Sequence, residues 1–406
     1  MTRQEGHEGY GIYGIDVGTT KVVAISGSVD APGGTPEVLS VGEAPSHGLR
    51  RGMVVDPAAA REAVSSAIRQ CGPPRGPVVV GIAGGHISSF NAGATLANRS
   101  RKNTVTSEFV ERLKKEAGRL DPGENNRIIQ VVPRSFTLDG ENGIYHPVGM
   151  TARRVTMRAH VVAGAVPDIQ SLLGLVEDCG VEVSQVVLEP LASSAAVFRD
   201  GELEAGAALL DMGGGTTDIA SFSGGGALTH SAVVSLGGQS LSSDLAYGLK
   251  LSYDDAERLK VGYGSVLSGI VDEVATAELD GKHYSAHFMS QILEYRAREI
   301  LEFARDSLDE ARVSDGLSEL VLTGGGALLD GMPELAHDIT GLQTRVALPN
   351  PLPGNFKPVH QPQYATAVGL LRYAANNSEV ELKGEGATRS SFGSIVSTIK
   401  GWFRGV

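Results

Sequence analysis

Two stretches of this 406-residue chain carry the same pattern, and they decide the fold. The first is Asp16-Val17-Gly18-Thr19-Thr20-Lys21-Val22, and the second, 195 residues later, is Asp211-Met212-Gly213-Gly214-Gly215-Thr216-Thr217-Asp218-Ile219. Each stretch starts where one apolar run ends and leads into another, which predicts a strand, a turn of glycine and threonine, and a returning strand. A repeat of this kind indicates a duplicated structural unit.

Apolar runs bounded by glycine alternate with helical patterns along the rest of the chain, which is typical of an α/β protein. The predicted helices are 57–70 (with Asp56 as N-cap), 107–120, 239–250, 253–260, 286–310 and 363–375. The predicted strands outside the two repeats are 77–83, 127–138, 154–163 and 318–322. In the strand 154–163 the apolar side chains alternate with Arg154, Thr156, Arg158 and His160, so we expect the face carrying these four to be exposed.

Composition excludes several classes of protein. With 35 Lys and Arg against 47 Asp and Glu, the net charge is −12, which argues against nucleic acid as the main partner because phosphate binding needs a basic face. Cys71 and Cys179 are too few and too far apart for a disulfide scaffold. No apolar run approaches the roughly 20 residues of a spanning helix, and the polar N-terminus predicts no signal peptide.

Both repeats combine the groups that bind a nucleotide with its metal ion. Glycine lets backbone N–H groups approach phosphate, threonine supplies hydroxyls, and Asp16 and Asp211 stand at strand ends, where a carboxylate can hold the water shell of Mg²⁺. A third glycine run follows the strand 318–322; alone it fits an ordinary turn, but beside two hairpins it favours an adenine contact. The residues predicted to contact the nucleotide are Gly18, Thr19, Thr20, Lys21, Gly213, Gly214, Gly215, Thr216, Thr217, Gly324, Gly325 and Gly326.

From Tyr13 to about Ala375 these elements resemble the actin, Hsp70 and sugar-kinase superfamily. The resemblance implies a two-lobed actin-like (ribonuclease H-like) α/β fold that holds ATP and Mg²⁺ between the lobes, with Asp16 and Asp211 facing the metal through water. The stretch 188–192 is similar to the motif whose acidic residue orients the attacking water, so the candidate catalytic residues are Glu189, Asp16 and Asp211. Glu257 and Lys260 match the segment that flanks ribose and adenine. A slow ATPase and a site that only binds ATP both remain open.

Two segments narrow the resemblance to FtsA, a family of actin-like bacterial cell-division proteins. They are 51–56, and the region 84–164 with its stretches 132–140 and 147–150. The organisation implied is a first-lobe core of 1–83 and 165–204 with the helix 362–376 packed back on it, an inserted subdomain 84–164, a second-lobe core of 205–236 and 312–361 with a helical subdomain 237–311, a linker 377–391, and a terminal amphipathic helix 392–406.

The last fifteen residues place their apolar side chains on one helical face. Such a helix is about 22 Å long, too short to span a bilayer and suited to lying in its interface, where the basic residues meet anionic lipid. A helix docked on the protein's own core is the alternative, which the polar linker disfavours. The predicted membrane contacts are Phe392, Ile395, Val396, Ile399, Lys400, Trp402, Phe403 and Arg404.

The resemblance implies a protein that polymerises and anchors the FtsZ ring to the cytoplasmic face of the plasma membrane at the division site. Its implied partners are the FtsZ C-terminal tail, other copies of itself, anionic lipids and other division proteins. In this family the FtsZ tail binds the helical subdomain, and Arg296 and Arg305 on the helix 286–310 are the predicted contacts. Two further classes stay open: a small-molecule kinase of the same fold, and a pilus-assembly adaptor of the PilM type.

Overall fold

The computed structural model describes residues 9–31, 33–199 and 201–382, with side chains described as far as residue 376. The predicted membrane helix 392–406 lies outside the described residues. Within them, the chain forms two lobes built on similar sheets, with a third sheet inserted into the first lobe.

The first lobe opens with a meander of antiparallel strands followed by a helix and a parallel strand. Asp56 accepts hydrogen bonds from the N–H groups of Ala58 and Ala59 at the start of this helix, as the sequence predicts for an N-cap. The elements are β1 (Tyr10–Val17), β2 (Lys21–Val29), β3 (Glu37–Pro45), β4 (Leu49–Arg50), β5 (Met53–Val54), α1 (Pro57–Cys71) and β6 (Val78–Ile82).

The inserted subdomain is a four-stranded sheet in the order β7-β10-β8-β9, covered on one face by a single helix. Phe109, Leu113 and Ala117, spaced four apart on that helix, share a buried cluster with Val155 and Met157 of the sheet. The elements are β7 (Ile87–Ala97), α2 (Ser107–Ala117), β8 (Asn126–Leu138), β9 (Glu141–Ile144) and β10 (Arg154–Ala165). The chain then completes the first lobe with α3 (Val166–Glu177), β11 (Gln185–Leu188) and α4 (Glu189–Val197).

The second lobe repeats the meander and adds a helical subdomain before its parallel strands. The meander is β12 (Ala207–Met212), β13 (Thr217–Ser223) and β14 (Ala227–Val234). The helical subdomain holds α5 (Gly238–Leu249), α6 (Tyr253–Tyr263), β15 (Thr276–Leu279), β16 (Lys282–Ser285) and α7 (Ala286–Glu310). The lobe closes with β17 (Glu319–Thr323), α8 (Met332–Thr340) and β18 (Gln343–Val346), and α9 (Ala365–Leu382) follows.

The two large sheets have the same topology. The first runs β3-β2-β1-β6-β11 and the second β14-β13-β12-β17-β18, and in each sheet three antiparallel strands are followed by two parallel ones. One buried cluster joins them, because it contains Ile25 of the first sheet, Leu209 of the second, and Leu370 and Leu371 of α9. The sequence repeat therefore marks a duplicated lobe, and α9 packs in the core that both lobes share.

The sequence predictions differ from the structure in several places. The outer face of β10 is exposed at Arg154 and Arg158, but His160 is only 1% exposed, because β14 of the second lobe covers this end of the strand. The helix predicted to end at 375 continues to Leu382, six residues into the predicted linker 377–391. Strand β7 was not predicted, since its serine, glycine and alanine residues give weak alternation.

Candidate nucleotide-binding cleft

The two glycine–threonine hairpins face each other across the cleft between the lobes. Pairing of Val17 with Val22 closes the first hairpin, and pairing of Met212 with Thr217 closes the second. Their tips are so close that a Cβ added at Gly215 would lie 2.5 Å from the Thr19 Oγ1 atom. Glycine is therefore needed here for the approach of the lobes as well as for access to a ligand.

The third glycine run lies beside the second hairpin. Strand β17 runs parallel to β12, so Thr323 is the partner of Asp211 and the turn Gly324–Gly326 begins level with the hairpin. Gly324 has φ 82°, and a Cβ there would lie 2.5 Å from the Asp211 Oδ1 atom. All three predicted glycine elements are thus brought to one place.

Four carboxyl groups gather at the base of the cleft. Asp16, Asp211 and Asp218 are buried, and Glu189, at the first position of α4, is half-buried. Burial raises the pKa of Asp16 to about 7; Lys21 opposes this shift and Asp211 adds to it. Burial and then the charge of Asp16 raise the pKa of Glu189 well above its ordinary value.

Asp211 is held by two hydroxyl groups that the sequence did not point to. Ser193 of α4 donates a short hydrogen bond to its Oδ2 atom, and Thr366 of α9 donates another at 3.1 Å. Burial raises the pKa of Asp211, and these two hydrogen bonds oppose the rise. The second-lobe carboxylate is therefore positioned by helices that pack on the first lobe.

Asp218, which pairs directly with Asp211 across the second hairpin, is the other residue that sequence reasoning did not assign. Thr216 Oγ1 donates to its Oδ2 atom at 3.3 Å, whereas its buried Oδ1 atom has no hydrogen-bond partner among the described residues. Burial, followed by the charge of Asp211, raises its pKa well above the ordinary value. An unpaired buried carboxylate oxygen requires a donor or a cation. Its place in the repeat, where the first hairpin has the apolar Val23, was the available signal.

Lys21 is the cation of the first hairpin. Its Nζ atom lies 3.8 Å from the centre of the Tyr364 ring, and the Tyr364 hydroxyl donates to Glu43 at 2.6 Å. Burial lowers the pKa of Lys21, and the nearby carboxylates, Asp16 first, oppose that effect. The ammonium group is thus within electrostatic range of both lobes' aspartates.

The predicted adenosine residues lie next to the second hairpin but bind each other. Lys260 donates to the Gly238 carbonyl oxygen at 3.0 Å, to Ser242 Oγ at 2.8 Å and to Glu257 Oε2 at 2.8 Å. Because an ammonium group has three hydrogens, these bonds use all of them. Lys260 therefore holds α6 against the start of α5. Of the two residues, Glu257 is the more available to contact a ligand. Similarly, the Thr217 hydroxyl donates to the Leu236 carbonyl oxygen at 3.0 Å, so it supports the hairpin from within.

The helical subdomain carries an apolar groove of about 450 Å³ between α5 and α7. Tyr247 and Tyr295, which line it, are 90% and 74% exposed. Arg296 also lines it, in ion pairs with Asp244 at 2.6 Å and with Glu299. Arg305 is nine positions further along α7, about two and a half helical turns, and so projects from the opposite side. The two predicted partner arginines therefore do not share one surface.

Solved structures give the class to which this architecture belongs. The PilM–PilN type IV pilus biogenesis complex matches with a TM-score of 0.65 and 17% identity over 90% of this chain and 98% of that one. MreB5 of Spiroplasma citri bound to ADP matches with a TM-score of 0.56 and 14% identity over 93% of this chain and 100% of that one. The fold is that of a two-lobed actin-like protein, which confirms the predicted class.

Sequence comparisons give the family within this class. Residues 208–369 match the family model of cell division protein FtsA, and residues 84–163 match the SHS2 domain inserted in FtsA. The cell division protein FtsA of Pseudomonas aeruginosa is 32% identical over 398 residues, which are 95% of this chain and 93% of that protein. The chain therefore belongs to the FtsA family of actin-like cell-division proteins. The PilM-type alternative is a distant structural neighbour only.

Proposed function

We propose that this chain binds Mg-ATP between its lobes and, in filaments, anchors the FtsZ ring to the cytoplasmic face of the plasma membrane. The observation that supports nucleotide binding most strongly is the meeting of three glycine-rich turns above four carboxyl groups, with Lys21 among them. Triphosphate needs close backbone N–H groups and a compensating cation, and this cleft offers both. ATP, rather than another nucleotide, is an expectation from the family.

The carboxyl groups fit a hydrated Mg²⁺. The unpaired Oδ1 atom of Asp218 fits a cation, and because burial raises the pKa of Asp16 and Asp211, a cation beside them would stabilise their charged forms. The described residues contain no group of three or more side chains able to ligate an ion directly, so we infer contact through water and phosphate oxygens. Bound there, Mg²⁺ would neutralise the phosphate charge. The role proposed for Glu189 is to orient a water molecule, in a slow ATPase at most.

Mg-ATP titration of the wild type and of Asp211→Ala tests the cleft. We expect the variant to lose most of its affinity, by about 100-fold, because a charged group at the metal's water shell is removed. This change also leaves the hydroxyl groups of Ser193 and Thr366 without their acceptor, so Asp218→Asn is the second variant. The control is Asp338→Asn, which changes an exposed carboxylate elsewhere. Equal affinity in all four proteins would show that these carboxylates do not contribute to Mg-ATP binding.

We propose that the FtsZ tail binds the groove between α5 and α7, through Tyr247 and Tyr295, with Arg296 at its edge. Arg296 already has two carboxylate partners, so aromatic contacts should contribute more to binding than its charge. The affinity for a labelled FtsZ C-terminal peptide, measured by fluorescence anisotropy, should fall at least about ten-fold in Tyr247→Ala/Tyr295→Ala. Tyr263→Ala, 52% exposed but outside the groove, and Arg305→Ala are the controls.

The proposed membrane anchor is the segment 392–406, supported by its sequence pattern. In the part of the chain that the structure describes, no helix is long and apolar enough to cross a bilayer. One short helix binds lipid weakly, whereas a filament presents many on one surface. Deleting 392–406 should abolish co-sedimentation with anionic liposomes, and Trp402→Ala/Phe403→Ala should weaken it. Full binding by the deletion variant would contradict the anchor.

A further inference from the structure

The inserted subdomain belongs to one lobe by its chain and contacts the other lobe as well. The chain enters it from β6 and leaves it into α3, both in the first lobe. In space, β7, β8 and β10 also pack against β14, the edge strand of the second sheet. A subdomain held in this way links the two lobes outside the cleft.

Side chains of β7 bind the backbone of β14. The Ser89 hydroxyl donates to the Ser231 carbonyl oxygen at 2.8 Å, and the Asn91 amide donates to the Thr229 carbonyl oxygen at 3.3 Å. Ser89 and Asn91 lie two residues apart on β7, so both donors point to one face of that strand. Thr229 and Ser231 lie two residues apart on β14, so both acceptors lie along one edge of it. Two backbone carbonyl groups on this edge of the second sheet are thus bound by the inserted subdomain.

His160 completes this arrangement from β10. Its Nδ1 atom lies 2.9 Å from Asn91 Oδ1, and its Nε2 atom lies 2.9 Å from Ser231 Oγ. Burial lowers the pKa of His160 to about 3, so the ring is neutral at physiological pH. A neutral ring has one donor and one acceptor: Nδ1–H donates to Asn91, and the Ser231 hydroxyl donates to Nε2. We call the five residues Ser89, Asn91, His160, Thr229 and Ser231 the seam.

A second contact joins the inserted subdomain to the second lobe at the turn before β14. The Tyr145 side chain, which follows β9, lies against the turn between β13 and β14. A Cβ added at Gly225 would lie 2.5 Å from Tyr145 Cγ, and one at Gly224 would lie 2.4 Å from the hydroxyl oxygen. Two separated contacts resist rotation of the subdomain as well as sliding.

Strand β14 connects the seam to the cleft. Directly after it, the Leu236 carbonyl oxygen accepts from Thr217, and the Gly238 N–H group donates to the Gly213 carbonyl oxygen at 2.9 Å. The Gln239 N–H group donates to the Gly214 carbonyl oxygen at 2.8 Å. The second hairpin and the seam are therefore the two ends of one hydrogen-bonded segment.

We propose that the seam stabilises the closed arrangement of the two hairpins, so that nucleotide binding and attachment of the inserted subdomain to β14 strengthen each other. If the lobes rotate apart, β14 must either leave Ser89, Asn91 and His160 or pull the subdomain from the first lobe. Coupling of this kind is reciprocal: the seam raises nucleotide affinity and nucleotide protects the seam. The proposal rests on the proposed binding of Mg-ATP.

The first test removes the seam from the side of the inserted subdomain. Ser89→Ala/Asn91→Ala should weaken Mg-ATP binding about five-fold or more. The matched control is Thr95→Ala/Thr156→Ala, which removes a 2.8 Å hydroxyl pair between β7 and β10 that does not reach the second lobe. In the wild type, Mg-ATP should slow hydrogen exchange at the amides of β14, and this protection should be lost in the seam variant.

The second test holds the seam shut and does not depend on a destabilising variant. A Cβ added at Gly85 would lie 3.0 Å from Ser235 Oγ, close to the distance from a Cβ to the partner sulfur in a disulfide. Gly85→Cys/Ser235→Cys should form this bond on oxidation, identified by peptide mass spectrometry because Cys71 and Cys179 are also present. The oxidised form should bind Mg-ATP more tightly than the reduced form, and the single substitutions should not respond.

The outcomes separate this inference from the proposed function. If the wild type binds Mg-ATP but the seam variant, the control pair and both redox forms bind it equally, the inference is overturned and nucleotide binding stands. If the wild type binds no nucleotide, both fall. Weaker binding in the seam variant together with tighter binding in the oxidised form supports the inference.

Discussion

The two hairpins share a backbone course, but their charged side chains differ in sign and position: Lys21 ends the turn of the first, whereas Asp218 of the second takes the place of Val23. In the first lobe the sequence Thr19-Thr20 is followed by Lys21, and in the second lobe Thr216-Thr217 is followed by Asp218. Asp218 pairs with Asp211, so the second hairpin has two buried carboxylates, whereas Asp16 of the first hairpin pairs with Val23 and has Lys21 within electrostatic range.

This difference divides the work of the proposed site between the lobes. In the proposed site, Lys21 of the first hairpin would supply positive charge to phosphate, and Asp211 and Asp218 of the second would join Asp16 in supplying negative charge to the metal's water shell. Because Lys21 also interacts with Asp211 across the cleft, the two charges attract one another before any ligand binds. The duplicated unit therefore produces an asymmetric distribution of charge across the cleft.

The largest effect is expected from removing the asymmetry. Lys21→Asp makes both hairpins acidic and places a carboxylate where phosphate would lie. We expect Mg-ATP affinity, measured by calorimetry, to fall at least about 100-fold, because an attractive charge is replaced by a repulsive one. Lys357→Asp, at an exposed position outside the cleft, is the matched control. An unchanged affinity in the Lys21 variant would show that the first hairpin does not contact phosphate.

The next effect concerns the contact of the hairpin tips. Gly215→Ala introduces a Cβ that meets Thr19 Oγ1 at 2.5 Å and should lower the free energy of unfolding by about 2 kcal/mol. Gly262→Ala on α6, where a Cβ meets nothing within 4 Å, should be neutral or slightly stabilising. Adding Thr19→Ala should recover part of the loss in urea unfolding. Full additivity of the two changes would mean that the tips do not touch.

Much of the fold could be predicted from the sequence because local residue patterns indicate its strands, turns and helix starts. The repeat at Asp16 and Asp211 predicted both hairpins, and Pro57 behind Asp56 predicted the start of α1. The inserted region was found through its resemblance to a family, which the SHS2 match to 84–163 confirms. The roles assigned to individual site residues remain predictions.

The features that were missed depend on tertiary contacts. Ser193 and Thr366 bind Asp211 across 18 and 155 positions of sequence, and a serine or threonine in a helix gives no local sign of such a partner. His160 alternates with apolar residues like any exposed strand position, yet a strand of the other lobe buries it. Sequence periodicity reports the faces of one element and not what packs on them.

The buried carboxyl groups of the two hairpins predict a pH dependence. A carboxyl group whose pKa is raised on folding stabilises the protein below its unfolded pKa, and this contribution is lost as pH rises through the folded pKa. For Asp16, whose pKa is raised to about 7, and for Asp218, raised in the same direction, nucleotide-free protein should be less stable at pH 8 than at pH 5. Asp218→Asn should raise the free energy of unfolding at pH 8, and raise it less at pH 5, in urea unfolding. Asp338→Asn, on the surface, should leave the profile unchanged.

The smallest effect tests whether the first lobe positions the second hairpin. Thr366→Val keeps the shape of the side chain but removes its 3.1 Å hydrogen bond to Asp211, while the Ser193 bond remains. We expect a loss of about 1 kcal/mol in the free energy of unfolding, because one buried charged acceptor loses one of two donors. If Asp211 is positioned for the metal, Mg-ATP affinity should fall as well. Thr340→Val removes a hydroxyl far from the cleft that donates to the Ala336 carbonyl oxygen within α8 and accepts from the Leu342 N–H group, and it should change stability without changing affinity. Equal affinities for both variants would mean that Asp211 keeps its place without α9, and the asymmetry of the hairpins would then arise within each lobe.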